Sequence, residues 1–335
     1  MENKLAKLIQ LIHKLPDSRL DEVSEKVSEM LEEDQKREEP LDCPDCPRCS
    51  SSAVVRNGTR KRTQRYRCKD CGKGFSNRYH SVMWHSRSGE AVWKQIIRDT
   101  VEGKSIDTTA DELALTHATT FTMRHKVLLA MEAIEQQEPT ILRGVCELDE
   151  TYVLESHKGK KLPEEYWRKA RKHGAKAQKR GISSEQIAIC TGLDRTGRVF
   201  AQTVNRATPS SEEVAEVFGE RIEEGSLVLT DGARSYVTLE KLCKCDVTTV
   251  TTEENHERHV LHINTANAFH SFIKQRYDAY RGVATKNINR YNALFSIAFR
   301  ANEDTIHAVY TALFSPQYNS FFSIEETKTL NLFPL

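Results

Sequence analysis

Apolar residues recur at helical spacing through the first 35 residues. Leu5, Leu8, Ile9, Ile12 and Leu15 form one stripe, and Leu20, Val23, Val27, Met30 and Leu31 form a second. Pro16-Asp17-Ser18 between them is turn and N-cap chemistry. Such a helical pair either docks on another protomer or folds back on its own chain, and acidic Glu32–Pro40 reads as a linker. The helical period returns at Ala91–Val101, with Val92, Ile96, Ile97 and Val101 on one side and Gly103 as the stop. Thr109-Ala-Asp-Glu112 reads as a capping box opening a short helix through Leu113. A turn at Leu115-Thr116 leads to a third helix, His117–Glu132, with Phe121, Val127 and Leu128 inward.

From Arg143 the period changes to that of strands. Val145–Leu154 is followed by Gln186–Gly192 and Arg198–Asn205, the last two joined by the turn Leu193–Gly197. Ser210–Glu223 is a helix, Ser226–Thr230 a strand, Ser235–Leu242 a helix and Cys245–Val250 a strand. After a loop with His256, His259 and His262 comes a helix within Val260–Lys274. Its apolar Ala268, Phe269, Phe272 and Ile273 face inward, leaving Asn267, His270 and Lys274 on the opposite side. The order βββαβαβα is that of a ribonuclease-H-like domain with a mixed sheet, and the remaining chain is helical and packs on it. The predicted fold class is a multidomain α+β protein. Residues 1–40 form a helical segment and linker, 41–80 a metal ribbon, 86–135 a helix-turn-helix, 143–302 the α/β core and 303–335 a tail.

The 335 residues carry 38% hydrophobic and 29% charged positions, enough for a sizeable core. The net charge of +1 is a cancellation between blocks. Residues 21–39 hold nine acids against three bases, 56–73 eight bases against one acid, and 155–180 ten bases against three acids. Local basic blocks, not the total, are what a polyanion meets. No apolar run approaches the roughly 18–20 residues that span a bilayer, and the amphipathic N-terminus has no export signal. Nine cysteines, five of them clustered, point to a reducing cytoplasm and a metal in place of disulfides.

Cys46-Pro-Arg-Cys49 and Cys68-Lys-Asp-Cys71 have zinc-ribbon spacing, each pair supplying two thiolates from a tight turn. Cys43-Pro-Asp-Cys46 is also a CxxC, but Ser50 and Ser51 directly after Cys49 favour Cys46 and Cys49 as the first knuckle. The hairpin between the knuckles presents Arg56, Arg60, Lys61, Arg62, Arg65 and Arg67 for DNA phosphates, or else is a solvated basic loop. On the third helix of the helix-turn-helix, Thr119, Thr120, Arg124 and Lys126 are expected outward for groove and backbone contacts. The basic insertion 157–180, with Lys160, Lys161, Arg168 and Lys169, is expected to hold flanking or target DNA.

Two aspartates stand at strand ends: Asp149 in CELDETYV and Asp231 in SLVLTDGARSY. Phosphoryl transfer by two divalent ions needs oxygen ligands on neighbouring elements, and Mg²⁺ favours carboxylates. Asp149 and Asp231 with the side-chain carbonyl of Asn267 make such a set, and Lys274 two turns on is placed to grip a phosphate. Singly each has a plainer reading: Asp231-Gly232 as a turn, Asn267 as a surface residue, His262 and His270 as structural histidines. The three segments in this order are far more specific than any one of them.

DETY on a first strand, TDGxxSY on a later one and HINTxNxFHSFIK followed by RGVATKxxNRYxALFxxxFR resemble bacterial insertion-sequence DDE transposases with an N-terminal zinc ribbon. RYRCKDCGKxF at Arg65–Phe75 is similar to the end of that family's ribbon. The resemblance covers roughly residues 43–302. It implies that Asp149 and Asp231 are the catalytic aspartates, holding Mg²⁺ or Mn²⁺, in an enzyme acting on terminal inverted repeats and target DNA as a homodimer or larger assembly. Where the usual pattern has glutamate this chain has Asn267, as in an Asp-Asp-Asn-Lys subgroup whose lysine matches Lys274. A non-catalytic DNA-binding descendant and a ribonuclease-H-like nuclease without end joining are the alternatives.

Overall fold

The computed structural model describes residues 43–314 except 61, 62, 77, 80, 85, 159–161, 163, 167–176, 178, 233 and 251–260. The expected N-terminal helices, residues 315–335 of the tail, and Lys61, Arg62, Lys160, Lys161, Arg168, Lys169, His256, His259 and Val260 lie outside the described residues. The chain divides into two compact units, Met1–Asn77 and Arg78–Leu335.

The first unit holds a three-stranded antiparallel sheet: β1 (Val54–Arg60), β2 (Thr63–Cys68) and β3 (Gly74–Ser76). Val54 pairs with Cys68, and Tyr66 with Phe75, so these buried side chains share one face. Alternation then sends Arg65 and Arg67 to the other, exposed face.

The second unit opens with three helices, α1 (Glu90–Glu102), α2 (Ile106–Glu112) and α3 (His117–Gln137). Gly103 ends α1 in the left-handed region at φ 83°, as its position predicts. The start of α2 differs from expectation. Ser105, not Thr109, is the N-cap, its side chain accepting from the Thr108 amide. Thr109 lies inside the helix and is buried.

The sheet that follows has five strands in the order β6-β5-β4-β7-β8. They are β4 (Val145–Leu154), β5 (Gln186–Asp194), β6 (Val199–Arg206), β7 (Leu227–Thr230) and β8 (Asp246–Thr249). β4–β5 and β5–β6 are antiparallel; β4–β7 and β7–β8 are parallel. The helices are α4 (Ser211–Phe218), capped by Ser210 and Glu213, α5 (Val237–Cys243), α6 (Asn264–Ala279), α7 (Ile288–Ala298) and α8 (Glu303–Phe314). The element order from β4 to α6 is the expected βββαβαβα. α4 is shorter than the apolar pattern suggested, because the chain leaves the helix at Gly219 to bridge Ile222 to Leu142.

Two cores cover the two faces of the sheet. Cys146 and Leu148 of β4 and Cys190 of β5 pack with Val214, Phe218 and Leu239 of α4 and α5. Ile187, Ile189 and Leu193 of β5 face the other way, into a cluster with Ala266, Phe269 and Ile273 of α6 and Phe295 of α7. Trp93, Val127, Leu128, Ile306 and Val309 join that same cluster. The trihelical segment and the first part of the expected tail therefore share one core with α6 and α7. No helix among the described residues is long and apolar enough to cross a membrane.

Candidate active site and metal centre

In the ribbon, Cys46 and Cys49 lie before β1, Cys68 ends β2 and Cys71 lies in the turn to β3. Their sulfurs all fall within 4.8 Å of one another. Cys46–Cys71 and Cys49–Cys68 are each 3.6 Å apart. A tetrahedral zinc with Zn–S near 2.3 Å has sulfur–sulfur edges of about 3.8 Å, so four thiolates here fit that ion. The Cys71 amide, 3.5 Å from Cys68 Sγ, pulls the Cys68 thiol down to about 6, toward the ligating form. Ser51 ties the knuckles together: its hydroxyl donates to Asp70 Oδ2 at 2.6 Å and accepts from the Ala53 amide at 3.0 Å. Cys43 is outside the group of four.

The carboxylate site grows from strand register. Glu147 pairs with Leu229 across the parallel β4–β7 ladder, so two residues further Asp149 comes level with Asp231, the first residue after β7. Gly232 makes the turn possible. Its φ is 99°, and a Cβ there would lie 2.8 Å from Thr249 Cγ2 of β8. Asp231 is exposed, whereas Asp149 is only 9% accessible. Burial lifts the Asp149 carboxyl to about 7; the charges of Asp231 and Glu150 add to the rise, and the Glu150 amide and Lys274 oppose it. Glu150, on the opposite face of β4, is also raised by burial.

The face opposite Asp149 is α6, and here the expected helical stripe is rotated. Ala266, Phe269, His270, Ile273 and Tyr277 are buried, while Ala268 is exposed together with Asn267 and Lys274. His270 points inward because a polar pocket on the sheet receives it. Its Nε2 is 2.7 Å from Thr191 Oγ1, and its Nδ1 is 3.5 Å from Asp149 Oδ2. Thr191 Oγ1 also lies 2.9 Å from the Asp149 carbonyl oxygen. A carbonyl only accepts, so the Thr191 proton goes there and His270 Nε2–H donates to Thr191. That leaves the Nδ1 lone pair facing the Asp149 carboxylate. Burial, then the Lys274 charge, lowers the His270 pKa to about 4, so the ring is neutral at physiological pH. Two lone pairs in apposition beside a second carboxylate call for a cation or a proton between them. The donor set, carboxylate oxygens first, suits Mg²⁺ or Mn²⁺. Thr191 and His270 carry no sequence signal of their role, since a threonine within a strand and a histidine on a helix are ordinary core residues.

The expected DNA-contacting residues divide. Arg56, Arg60 and Arg65 are exposed on the ribbon, as is Thr119 on α3. Thr120 and Arg124 are not: they are 0% and 2% accessible. Arg124 donates to Thr109 Oγ1 at 3.2 Å between α3 and α2, and Lys126, half-buried, donates to the Trp84 carbonyl oxygen at 3.1 Å. α3 turns that side inward because the third helix packs against α7 as well as α1 and α2.

Residues 141–302 match the family described as ISXO2-like transposase domain, and residues 45–72 match the InsA N-terminal domain. An uncharacterized protein in transposable element ISH50 of Halobacterium salinarum (strain ATCC 700922 / JCM 11081 / NRC-1) is 26% identical over 259 residues, spanning 75% of this chain and 84% of that protein. Among solved structures, the Mos1 mariner paired end complex with Mn is 12% identical over 68% of this chain and 77% of that chain, with a TM-score of 0.26. A pre-cleavage Mos1 transpososome is 9% identical over 65% and 75%, with a TM-score of 0.25. The two family matches agree in kind: residues 141–302 are similar to ISXO2-like transposase domains, and a segment similar to the InsA zinc ribbon lies ahead of them.

Proposed function

We propose that this transposase binds the terminal inverted repeats of its own element, cuts the 3′ ends, and joins them to target DNA. The observation that carries the reading is the register that brings Asp149 level with Asp231 beneath α6, with Lys274 close enough for its charge to act on Asp149. Asp149 and Asp231 would hold the divalent ion, and the Asn267 side-chain carbonyl would add a neutral oxygen from α6. When bound, Mg²⁺ or Mn²⁺ supplies charge neutralisation at the phosphate and activation of the attacking oxygen.

The chain's own residues do the remainder. Asp149 gives up its proton when a cation is held, since its raised pKa reflects burial without one. Thr191, held by His270, fixes the Asp149 backbone through its carbonyl oxygen. The exposed Lys274 ammonium offers a phosphate contact. Arg56, Arg60 and Arg65 of the ribbon are the phosphate-positioning set, with Lys61 and Arg62 between them in sequence. The trihelical segment acts as the helix-turn-helix, with Thr119 at the start of α3 toward DNA. The basic insertion with Lys160, Lys161, Arg168 and Lys169 holds flanking or target DNA. Synapsis of two ends requires at least a homodimer.

The test is nicking of a labelled duplex carrying the element's terminal sequence, with Mg²⁺ or Mn²⁺. Wild type is expected to nick at the element end, and Asp149→Ala and Asp231→Ala are expected to bind the same duplex without nicking it. Binding by wild type with no cut in either metal removes the catalytic reading and leaves a zinc-ribbon DNA-binding protein.

A further inference from the structure

Helix α6 carries Asn267, His270 and Lys274, and its own sequence supplies one side-chain acceptor at its start, His262 Nδ1, 3.3 Å from the Asn264 amide. The N-cap position is Ile263, which offers no side-chain oxygen, and the first turn has no acidic residue. The amide of Ala266 would be an orphan donor at a buried helix end. It is met from the sheet: Glu147 Oε2 accepts from the Ala266 amide at 2.9 Å. Glu147 is 2% accessible and stands two residues before Asp149 on the same face of β4. Its other oxygen, Oε1, is 2.7 Å from Arg195 Nη1, at the β5–β6 turn, and 3.6 Å from His262 Nδ1. Arg195 Nη2 in turn donates to the His262 carbonyl oxygen at 3.1 Å, closing the brace onto the residue before the N-cap.

The spacing of strand and helix matches at two points. From Glu147 to Asp149 the strand advances about 6.6 Å, and from Ala266 to His270 the helix advances about 6 Å. Glu147 meets Ala266, and His270 is held by Thr191 beside Asp149, so the helix is pinned to the sheet at two points one turn apart. Asn267 lies between the two pins. Without the first pin, α6 is held near the aspartates by the His270–Thr191 contact and by apolar packing, which is non-directional and lets the start of the helix shift.

We propose that Glu147, braced by Arg195, is a positioning residue. It caps α6 across the domain and sets the axial placement of Asn267 and Lys274 against Asp149 and Asp231. The consequence for catalysis rests on the function proposed above; the cap itself does not.

The experiment compares wild type with Glu147→Ala and Glu147→Gln by three measurements. These are hydrogen exchange at the Ala266 amide, Mn²⁺ binding followed by electron paramagnetic resonance, and the Mn²⁺ concentration giving half-maximal nicking. Glu147→Ala is expected to speed Ala266 exchange about tenfold, and to weaken Mn²⁺ binding and raise the half-maximal concentration by about the same factor, with unchanged affinity for end DNA. Glu147→Gln, which keeps an oxygen for Ala266, is expected to recover most of the exchange protection. Should Glu147→Ala not fold, Arg195→Ala carries the test, with about threefold changes expected in exchange and Mn²⁺ binding. Unchanged Ala266 exchange in the variant that folds overturns the cap. Faster exchange with wild-type Mn²⁺ binding overturns the positioning role. A wild type that never nicks defeats the function proposed above while exchange and Mn²⁺ binding still decide this one.

Discussion

At the scale of single residues, the site and the core make opposite demands on Asp149. Its carboxyl titrates near 7 in the folded chain against 3.8 when unperturbed, chiefly through burial. Between those values the unfolded state binds fewer protons than the native state, so this group lowers stability as pH rises through the window, and the loss levels off above about 7. The cost at pH 8 is on the order of 4 kcal/mol at most. Metal-free Asp149→Asn is therefore expected to unfold at a higher temperature than wild type at pH 8, with the advantage gone near pH 4. Thermal melts across pH decide it, and parallel curves for the two proteins contradict the assignment. Arg124 carries a different expectation. Buried and bonded to Thr109, it serves the helix interface, so Arg124→Ala should cost about 2–4 kcal/mol of stability. Any change in end-DNA affinity of the folded variant beyond that of a buried α3 control would restore it to the DNA surface. Sequence pattern found Asp149 as an acid set among apolar residues of a strand, because burying a carboxylate is unusual. It misplaced Thr120 and Arg124, since helical period alone does not reveal how many partners a helix has.

At the scale of elements, α1 and α6 are joined at a point that the sequence marks with a glycine. Gly103 is left-handed, and a Cβ there would fall 1.3 Å from Arg276 Nη1, whose guanidinium donates to the Glu102 carbonyl oxygen at 2.8 Å. Gly103→Ala must both adopt positive φ and displace Arg276, a loss of about 2 kcal/mol. Chemical denaturation measures it, and a loss below about 0.5 kcal/mol would show that Arg276 moves aside freely. Gly103 was legible as a helix stop; that its missing side chain is the seat of a residue from α6 was not. The strands were legible to within two residues because β5 is mostly apolar and β4 sets its acids among apolar residues. The start of α2 was misread, since Ser105 and Thr109 both have the hydroxyl a cap needs and only tertiary packing drew Thr109 inward. The rotation of α6 was hidden for the same reason: His270 is polar, yet Thr191 and Asp149 make a polar pocket for it.

At the scale of the whole molecule, the ribbon and the larger unit are held by different means. Residues 43–76 have few buried apolar side chains and four converging sulfurs, so zinc is expected to supply their folding energy. Chelation of zinc, or Cys68→Ser, should unfold the ribbon and abolish end binding while the main thermal transition of the larger unit stays in place. A single shared transition that moves with zinc would contradict that division. The order of strands and helices along the chain was readable from alternation and turn residues. The sharing of one core by α1, α3, α6, α7 and α8 was not, because separate amphipathic stripes do not announce which stripe they meet. The central claim is that Asp149 and Asp231 hold the divalent ion that makes the cut. The most direct measurement is end nicking by Asp231→Cys in different metals. A thiolate disfavours Mg²⁺ and accepts softer ions. The account predicts no nicking by the variant in Mg²⁺ and recovered nicking in Mn²⁺ or Cd²⁺, with wild type active in Mg²⁺. Wild-type nicking by the variant in Mg²⁺ would contradict it.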